Sequence, residues 1–278
     1  MLGSGLAGRQ GHETRRKTME YKNVVVSFEG EVGILAVNRP KALNALNTET
    51  LKDIQAGMQE VKDHPEVKVL IVTGGGEKAF VAGADIEEMR GMNSIEALNF
   101  SRLGHLTLKM IQDFERPVIA AVNGYALGGG TEIALACDFA YASENARFGF
   151  PEVTLGIFPG FGGTQRLPRL IGKGKAKELI LSGKMITAQE AYQMGIVNRV
   201  FSQASLMEET KKVALQIGTN GAVGVRLAKM VMDGGFNMDL TEACSLESYA
   251  FSLGFATEDQ KEGMTAFLEK RKPHFKGR

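Results

Sequence analysis

The chain has 278 residues, 44% of them hydrophobic and 23% charged, and 33 Lys and Arg against 32 Asp and Glu give a formal net charge of +1. That is the makeup of a globular protein with enough chain for a substantial core, either one large domain or one domain plus a small lobe. The balanced charge gives no reason to expect nucleic acid or an anionic membrane as the main partner, and no apolar run reaches the roughly 18 residues of a membrane span.

Residues 1–18 are rich in Gly and Arg, with no apolar periodicity. Arg9, Arg15 and Arg16 fit a transit peptide, but Glu13 and the glycines do not. The segment is expected to be a disordered or non-native extension outside the fold, with Met19 a natural start. Beyond it, Val24–Val26 and Val32–Val37 are β-rich runs joined at Glu29-Gly30, which predicts an antiparallel pair. Thr48 is expected to cap a helix reaching Lys62, with Leu51, Ile54, Met58 and Val61 at helical spacing. Next come a strand over 67–73, a helix over 94–114, a strand over 118–122, a short helix over 131–136 and a strand over 139–142. Alternation of this kind predicts an α/β core with largely parallel strands. After Lys173 the pattern turns helical, with segments at 174–181, 187–194, 204–217, 222–232, 240–251 and 259–271. Cys137 and Cys244 lie far apart at no metal or redox spacing, and predict buried free thiols in a reducing, cytoplasmic compartment.

The chemistry concentrates in PVIAAVNGYALGGGTEIALACD (117–138), where an apolar strand runs through glycines directly into a helix. Consecutive glycines admit close approach to the backbone, and a helix start offers unpaired N–H groups in a favourable dipole. Together they suit a phosphate, a carboxylate or a developing oxyanion, whereas dinucleotide and P-loop spacings are missing. Taken alone, the glycines are also simply a tight strand-to-helix turn. Glu132 sits in the first turn of this helix among residues apolar all round. Two readings are open: a carboxylate complementing the dipole while facing solvent, or a buried one kept for chemistry. Glu152, in the apolar, turn-rich FGFPEVTLGI (148–157), is either a turn cap or a second buried carboxylate. Two carboxylates in one poorly solvated pocket raise each other's proton affinity, which suits general acid/base work. The segment KAFVAGADI (78–86) either supplies a second backbone N–H to the same oxyanion or forms a plain loop with Asp85 as helix N-cap.

Five segments in order, NRPKALNAL (38–46), AFVAGADIEEM (79–89), NGYALGGGTEIALACD (123–138), FGFPEVTLGIFPGFGGTQRLPR (148–169) and EGMTAFLEKRKPHF (262–275), resemble the enoyl-CoA hydratase/isomerase family, the crotonases. The resemblance runs from Val24 to Lys276. It implies an α/β fold, a crotonase-like spiral of ββα units over residues 19–200, with a helical trimerisation region over 201–278. It implies a homotrimer or a homohexamer built as a dimer of trimers. It also implies an acyl-CoA thioester as substrate and no cofactor, coenzyme A being part of the substrate. By resemblance, Glu132 and Glu152 are catalytic, and the N–H groups of Ala84 and Gly129 form the oxyanion hole. Lys41, Ala42, Leu43, Ala82, Asp85, Ile86 and Gly128 would line the substrate path, and Phe251, Phe267 and Lys270 would reach coenzyme A near a subunit boundary. Members that only isomerise usually lack the Glu132 equivalent, so its presence implies an enoyl-CoA hydratase rather than a Δ3-Δ2-enoyl-CoA isomerase. Some relatives bind RNA through a Lys-rich helix, but Lys52 and Lys62 here are interspersed with Asp53, Glu60 and Asp63, an ordinary solvated face. Three positions depart from the family pattern: Glu87 replaces a phosphate-binding Lys, Phe150 a Gln, and Phe161 an Ala.

Overall fold

A computed structural model describes residues 21–278, so the expectation for residues 1–18 lies outside the described part. Strands β1 (Val24–Glu29) and β2 (Val32–Val37) form the expected antiparallel pair. Helix α1 (Thr48–Lys62) follows, capped not by Thr48 but by Asn47, whose side chain accepts from Thr50 N at 2.8 Å. Asn offers the same oxygen as Thr at an N-cap, so local sequence does not separate the two. Strands β3 (Val69–Gly74) and β4 (Ala79–Val81) lead to α2 (Ile86–Met89) and α3 (Ser94–Gln112). Then come β5 (Val118–Val122), β6 (Tyr125–Leu127), α4 (Gly129–Ala136), β7 (Phe139–Ser143) and β8 (Arg147–Gly149). Next are α5 (Gly163–Ile171), α6 (Lys173–Ser182), β9 (Met185–Thr187), α7 (Ala188–Met194) and β10 (Arg199–Phe201), and then α8 (Leu206–Gly218), α9 (Ala222–Gly235), α10 (Leu240–Gly254) and α11 (Glu258–Leu268).

Successive turns of chain place one strand in each of two sheets. The larger has six strands in the order β1-β2-β3-β5-β7-β10, parallel except for the first pair. The smaller, β4-β6-β8-β9, consists of three-residue strands, and no sequence period marked it. Such strands are too short for alternation to register and are recruited by pairing with their neighbours. The pairs β3/β4, β5/β6 and β7/β8, each followed by helix, make this the crotonase spiral.

The larger sheet is buried on both faces. Leu35, Leu70, Val72, Val118, Ala120 and Val122 point into the main core with α1 and α3. Ile34, Val69, Ile71, Ile119 and Ala121 point the other way, against Leu206 and Ala214 of α8. A two-sided strand reads as a continuous apolar run, which is why β3 and β5 were legible. At the edge of this body Lys229 of α9, itself buried, donates to Asp138 Oδ2 at 2.9 Å and to Arg116 O at 3.2 Å.

The helices beyond α8 differ in kind. Met232, Phe236, Leu240, Tyr249, Phe251, Leu253, Phe267 and Leu268 are all exposed. Both cysteines are free thiols, but only Cys137 is buried. The expectation that both are buried fails at Cys244, which lies on an exposed position of α10. No helix among the described residues is long and apolar enough to cross a membrane.

Candidate active site

The segment 38–46 is folded into a rigid brace before any reactive group is placed. Leu43 and Asn44 adopt left-handed backbone angles. Asn44, wholly buried, donates from Nδ2 to Gly75 O (3.0 Å) and Ala79 O (2.8 Å) and accepts from Arg39 N at 2.8 Å. The Arg39 guanidinium bonds Ala45 O and forms a 3.0 Å ion pair with Asp85. So braced, the segment runs beside 82–85: Leu46 N donates to Gly83 O, Asp85 N to Leu46 O, and Ala82 N to Leu43 O. Asp85 also caps α2, accepting from Glu87 N. Its carboxylate is thus held by Arg39 and by the helix, although the backbone around it stays on the candidate substrate path. Lys41, Ala42, Leu43 and Ile86 are exposed along this rim, with Ala82 half-buried behind them.

Pairing of β4 with β6 sets this loop against Gly128 and Gly129, which open α4. Neither Ala84 N–H nor Gly129 N–H donates a hydrogen bond within the described residues. For Gly129 that follows from its place in the first turn of a helix. These are the two donors expected of an oxyanion hole.

Glu132 is 1% exposed, which decides between the two readings of its side chain. Its Oε1 accepts the N–H groups of Phe161 (2.9 Å) and Gly163 (2.6 Å), contributed by the loop entering α5. Burial pushes its proton affinity up, while the Gly163 and Phe161 N–H groups and the Arg166 charge oppose that rise. Glu152 lies on a short helical turn, Pro151–Leu155. Its buried Oε2 has no hydrogen-bond partner among the described residues. Burial first, and then the charge of Glu132, push the Glu152 pKa up to about 7. The fold thus brings two carboxyls 20 positions apart in sequence within electrostatic reach. Gly128 is the hinge between them: its φ is +49°, and a Cβ there would collide with Glu152 Oε1.

Two aromatic rings lie close to Glu132. Phe150 and Phe161 are both buried. Phe161 lies against Gly129, sits 5.4 Å from the Phe100 ring, and fills a notch in α3 left by the absent side chain of Gly104. Phe251 and Phe267 are exposed on α10 and α11, and Lys270 lies just past the end of α11. No described hydrogen bond or ring contact joins these three to the carboxylates. Phe251 instead lines an apolar groove of about 830 Å³ between α9, α10 and α11. Sequence reasoning missed Arg39, Asn44, Gln112 and Arg166, polar groups whose partners lie in distant segments. For Arg166 a signal existed: a cation three residues after the last of the glycines beside Glu132.

Two stacked sheets wound as a spiral, with a buried carboxyl pair beside free N–H groups at a helix start, define a class of acid/base enzymes acting on carbonyl compounds. The profile of the enoyl-CoA hydratase/isomerase family matches residues 27–278, and the chain belongs to that family. It is 52% identical to a crotonyl-CoA hydratase of Syntrophomonas wolfei, covering 92% of this chain and 99% of that one. It is also 52% identical to a short-chain-enoyl-CoA hydratase of Clostridium acetobutylicum, over 91% and 97% of the two chains. The crystal structure of an enoyl-CoA hydratase from Bacillus anthracis superposes with a TM-score of 0.90 at 43% identity, covering 92% of this chain and all of that one.

Proposed function

We propose that the protein is an enoyl-CoA hydratase, adding water reversibly to trans-2-enoyl-CoA to give 3-hydroxyacyl-CoA. The observation that carries this reading is the asymmetry of two neighbouring carboxyls. Burial raises the proton affinity of both, but Glu132 is clasped by two N–H donors that favour its anion, while Glu152 has one oxygen without a donor and a pKa pushed up to about 7. Hydration needs one group of each kind. The thioester oxygen sits between the Ala84 and Gly129 N–H groups, which take up the negative charge of the enolate. Glu132 removes a proton from water as its oxygen bonds C3, the π pair moves toward C2 and the thioester, and Glu152 delivers its proton to C2. The cycle ends with Glu132 protonated and Glu152 ionised, and proton exchange resets the pair. No oxidation state changes, so no redox cofactor is called for, and coenzyme A enters as part of the substrate.

Lys41, Ala42, Leu43, Ala82, Asp85 and Ile86 line the thioester path in this reading. The Phe161 and Phe150 rings favour a short acyl chain, the class that the names of both 52% identical relatives describe. The exposed apolar faces of α9 to α11 favour a trimer or a dimer of trimers, in which Phe251, Phe267 and Lys270 reach coenzyme A near a subunit boundary. A cytoplasmic location completes the reading. Glu132 counts against a pure isomerase, which needs no base for water. The test is hydration of crotonyl-CoA, followed as loss of absorbance of the conjugated thioester, alongside double-bond migration in a 3-enoyl-CoA. Migration without hydration would overturn the proposal.

A further inference from the structure

The mechanism uses Glu132, but what holds Glu132 in place lies one layer further out. Its two donors, the N–H groups of Phe161 and Gly163, belong to a glycine-rich loop at the point where it enters α5, Gly163 being the first residue of that helix. Such a loop gives directed hydrogen bonds only when something fixes its backbone. Arg166, one helical turn on, does this from the opposite side. Its Nη1 donates to Phe161 O at 3.0 Å and its Nε to Gln112 Oε1 on α3 at 3.0 Å. Phe161 is therefore clamped through both backbone polar groups, its carbonyl by the guanidinium and its N–H by the carboxylate. Gly162 between them has φ +113°, and a Cβ there would collide with Arg166 Nη1. At Gly163 a Cβ would stand 3.0 Å from Glu132 Oε1. Residues 161–163 are thus a thin backbone layer pressed between a cation and an anion, with no room for side chains at its two glycines.

We propose that Arg166 is the positioning residue for the water-activating carboxylate: it fixes the 161–163 loop so that its N–H groups aim Glu132, and its charge favours the anion against the burial of that side chain. The proposal rests on the hydratase reading above and adds a residue that acts through Phe161 and Gln112. The groups facing the guanidinium are Glu132 of α4, His105 and Gln112 of α3, and Asp113 just past its end; Glu152 faces Glu132 from the turn after β8. A fork geometry matters because the three donors of Lys share one nitrogen on a flexible stem, so Lys can supply the charge but not the fixed spacing of the Nε and Nη1 bonds. Charge and aim are thereby separable.

The sign follows from the charge. Without the cation the Glu132 anion is less favoured, its proton affinity rises, and the acid limb of the kcat/KM profile moves to higher pH. The experiment compares wild type, Glu132→Gln, Arg166→Gln and Arg166→Lys in crotonyl-CoA hydration across pH. Arg166→Gln should lower kcat by about 10- to 100-fold with KM within about twofold, and raise the acid limb by about half a pH unit or more. Arg166→Lys should lose rate while keeping the acid limb of wild type. Added guanidinium should restore part of the rate to Arg166→Gln and none to Glu132→Gln. A folded Arg166→Gln with an unmoved acid limb and a kcat within twofold of wild type would overturn the proposal. If Arg166→Gln does not fold, Arg166→Lys decides, and wild-type rate in it overturns the proposal equally. An inactive wild type would instead sink the hydratase reading, so the two failures are distinguishable.

Discussion

The start of α4 buries one glutamate and the turn after β8 half-buries another, and they treat it in opposite ways. At α4 the carboxylate meets a helix N-terminus, two loop N–H groups and a nearby guanidinium, all of which favour the anion. At the turn the carboxyl meets Gly128, apolar surroundings and the other carboxylate, and one oxygen is left without a donor. Burial raises the proton affinity of both; what separates them is the supply of donors, which opposes that rise at Glu132 and leaves one oxygen of Glu152 bare, the difference on which the proposed base and acid roles rest.

The largest effect expected from erasing this difference is on rate. Glu132→Gln and Glu152→Gln should each lower crotonyl-CoA hydration by about 10² to 10⁴, with coenzyme A thioester affinity retained. Near wild-type turnover in either variant, measured at saturating substrate, would remove that residue from the chemistry. Only Glu152→Gln should also abolish double-bond migration.

Next in size is the hinge. Gly128→Ala places a methyl against Glu152 Oε1 at a backbone angle that L residues rarely adopt. We expect activity to fall by about 10- to 100-fold through displacement of the acid, with about 1–3 kcal/mol of stability lost. Unfolding curves and steady-state rates check both, and an unaffected rate would mean that the position of Glu152 is not set by this contact.

Gly104→Ala probes the Phe161 ring and has a sign worth deciding. In a helix interior this change ordinarily gains about 0.5–1 kcal/mol. Here the new methyl would run into the Phe161 ring, so a net loss of about 1–2 kcal/mol is expected. The displaced ring should also slow crotonyl-CoA hydration several-fold. A higher melting temperature at unchanged rate would show that the notch is idle.

The smallest effect is on pH-dependent stability. The folded pKa of Glu152, about 7, lies above its unfolded value of about 4.3. The fold therefore binds the extra proton between these two values, and the contribution of this group falls as pH rises through that window. Glu152→Gln, which carries no charge, should be more stable than wild type at pH 8 by about 1 kcal/mol, allowing for partial exposure. The gain should vanish near pH 4.5. Equal gains at both values in denaturant titrations would place the Glu152 pKa elsewhere.

Much of this protein was determined by its sequence alone. Continuous apolar runs are enough for β3 and β5, because strands buried on both faces need no alternation. The helical C-terminal third follows from its 3.6-residue periodicity. A carboxylate in a helix with no polar face marked Glu132, and five ordered segments pointed to the family. Tertiary structure decided the rest. The strands β4, β6, β8 and β9 exist only because the spiral lays them side by side. Whether Glu132 faces solvent was settled by the loop at 161–163, some 30 residues away in sequence. The different surroundings of the two carboxyls come from the same loop, together with Arg166 and Gly128. Proton affinity follows desolvation and the directed bonds a side chain receives, and both are set by parts of the chain that only folding brings near.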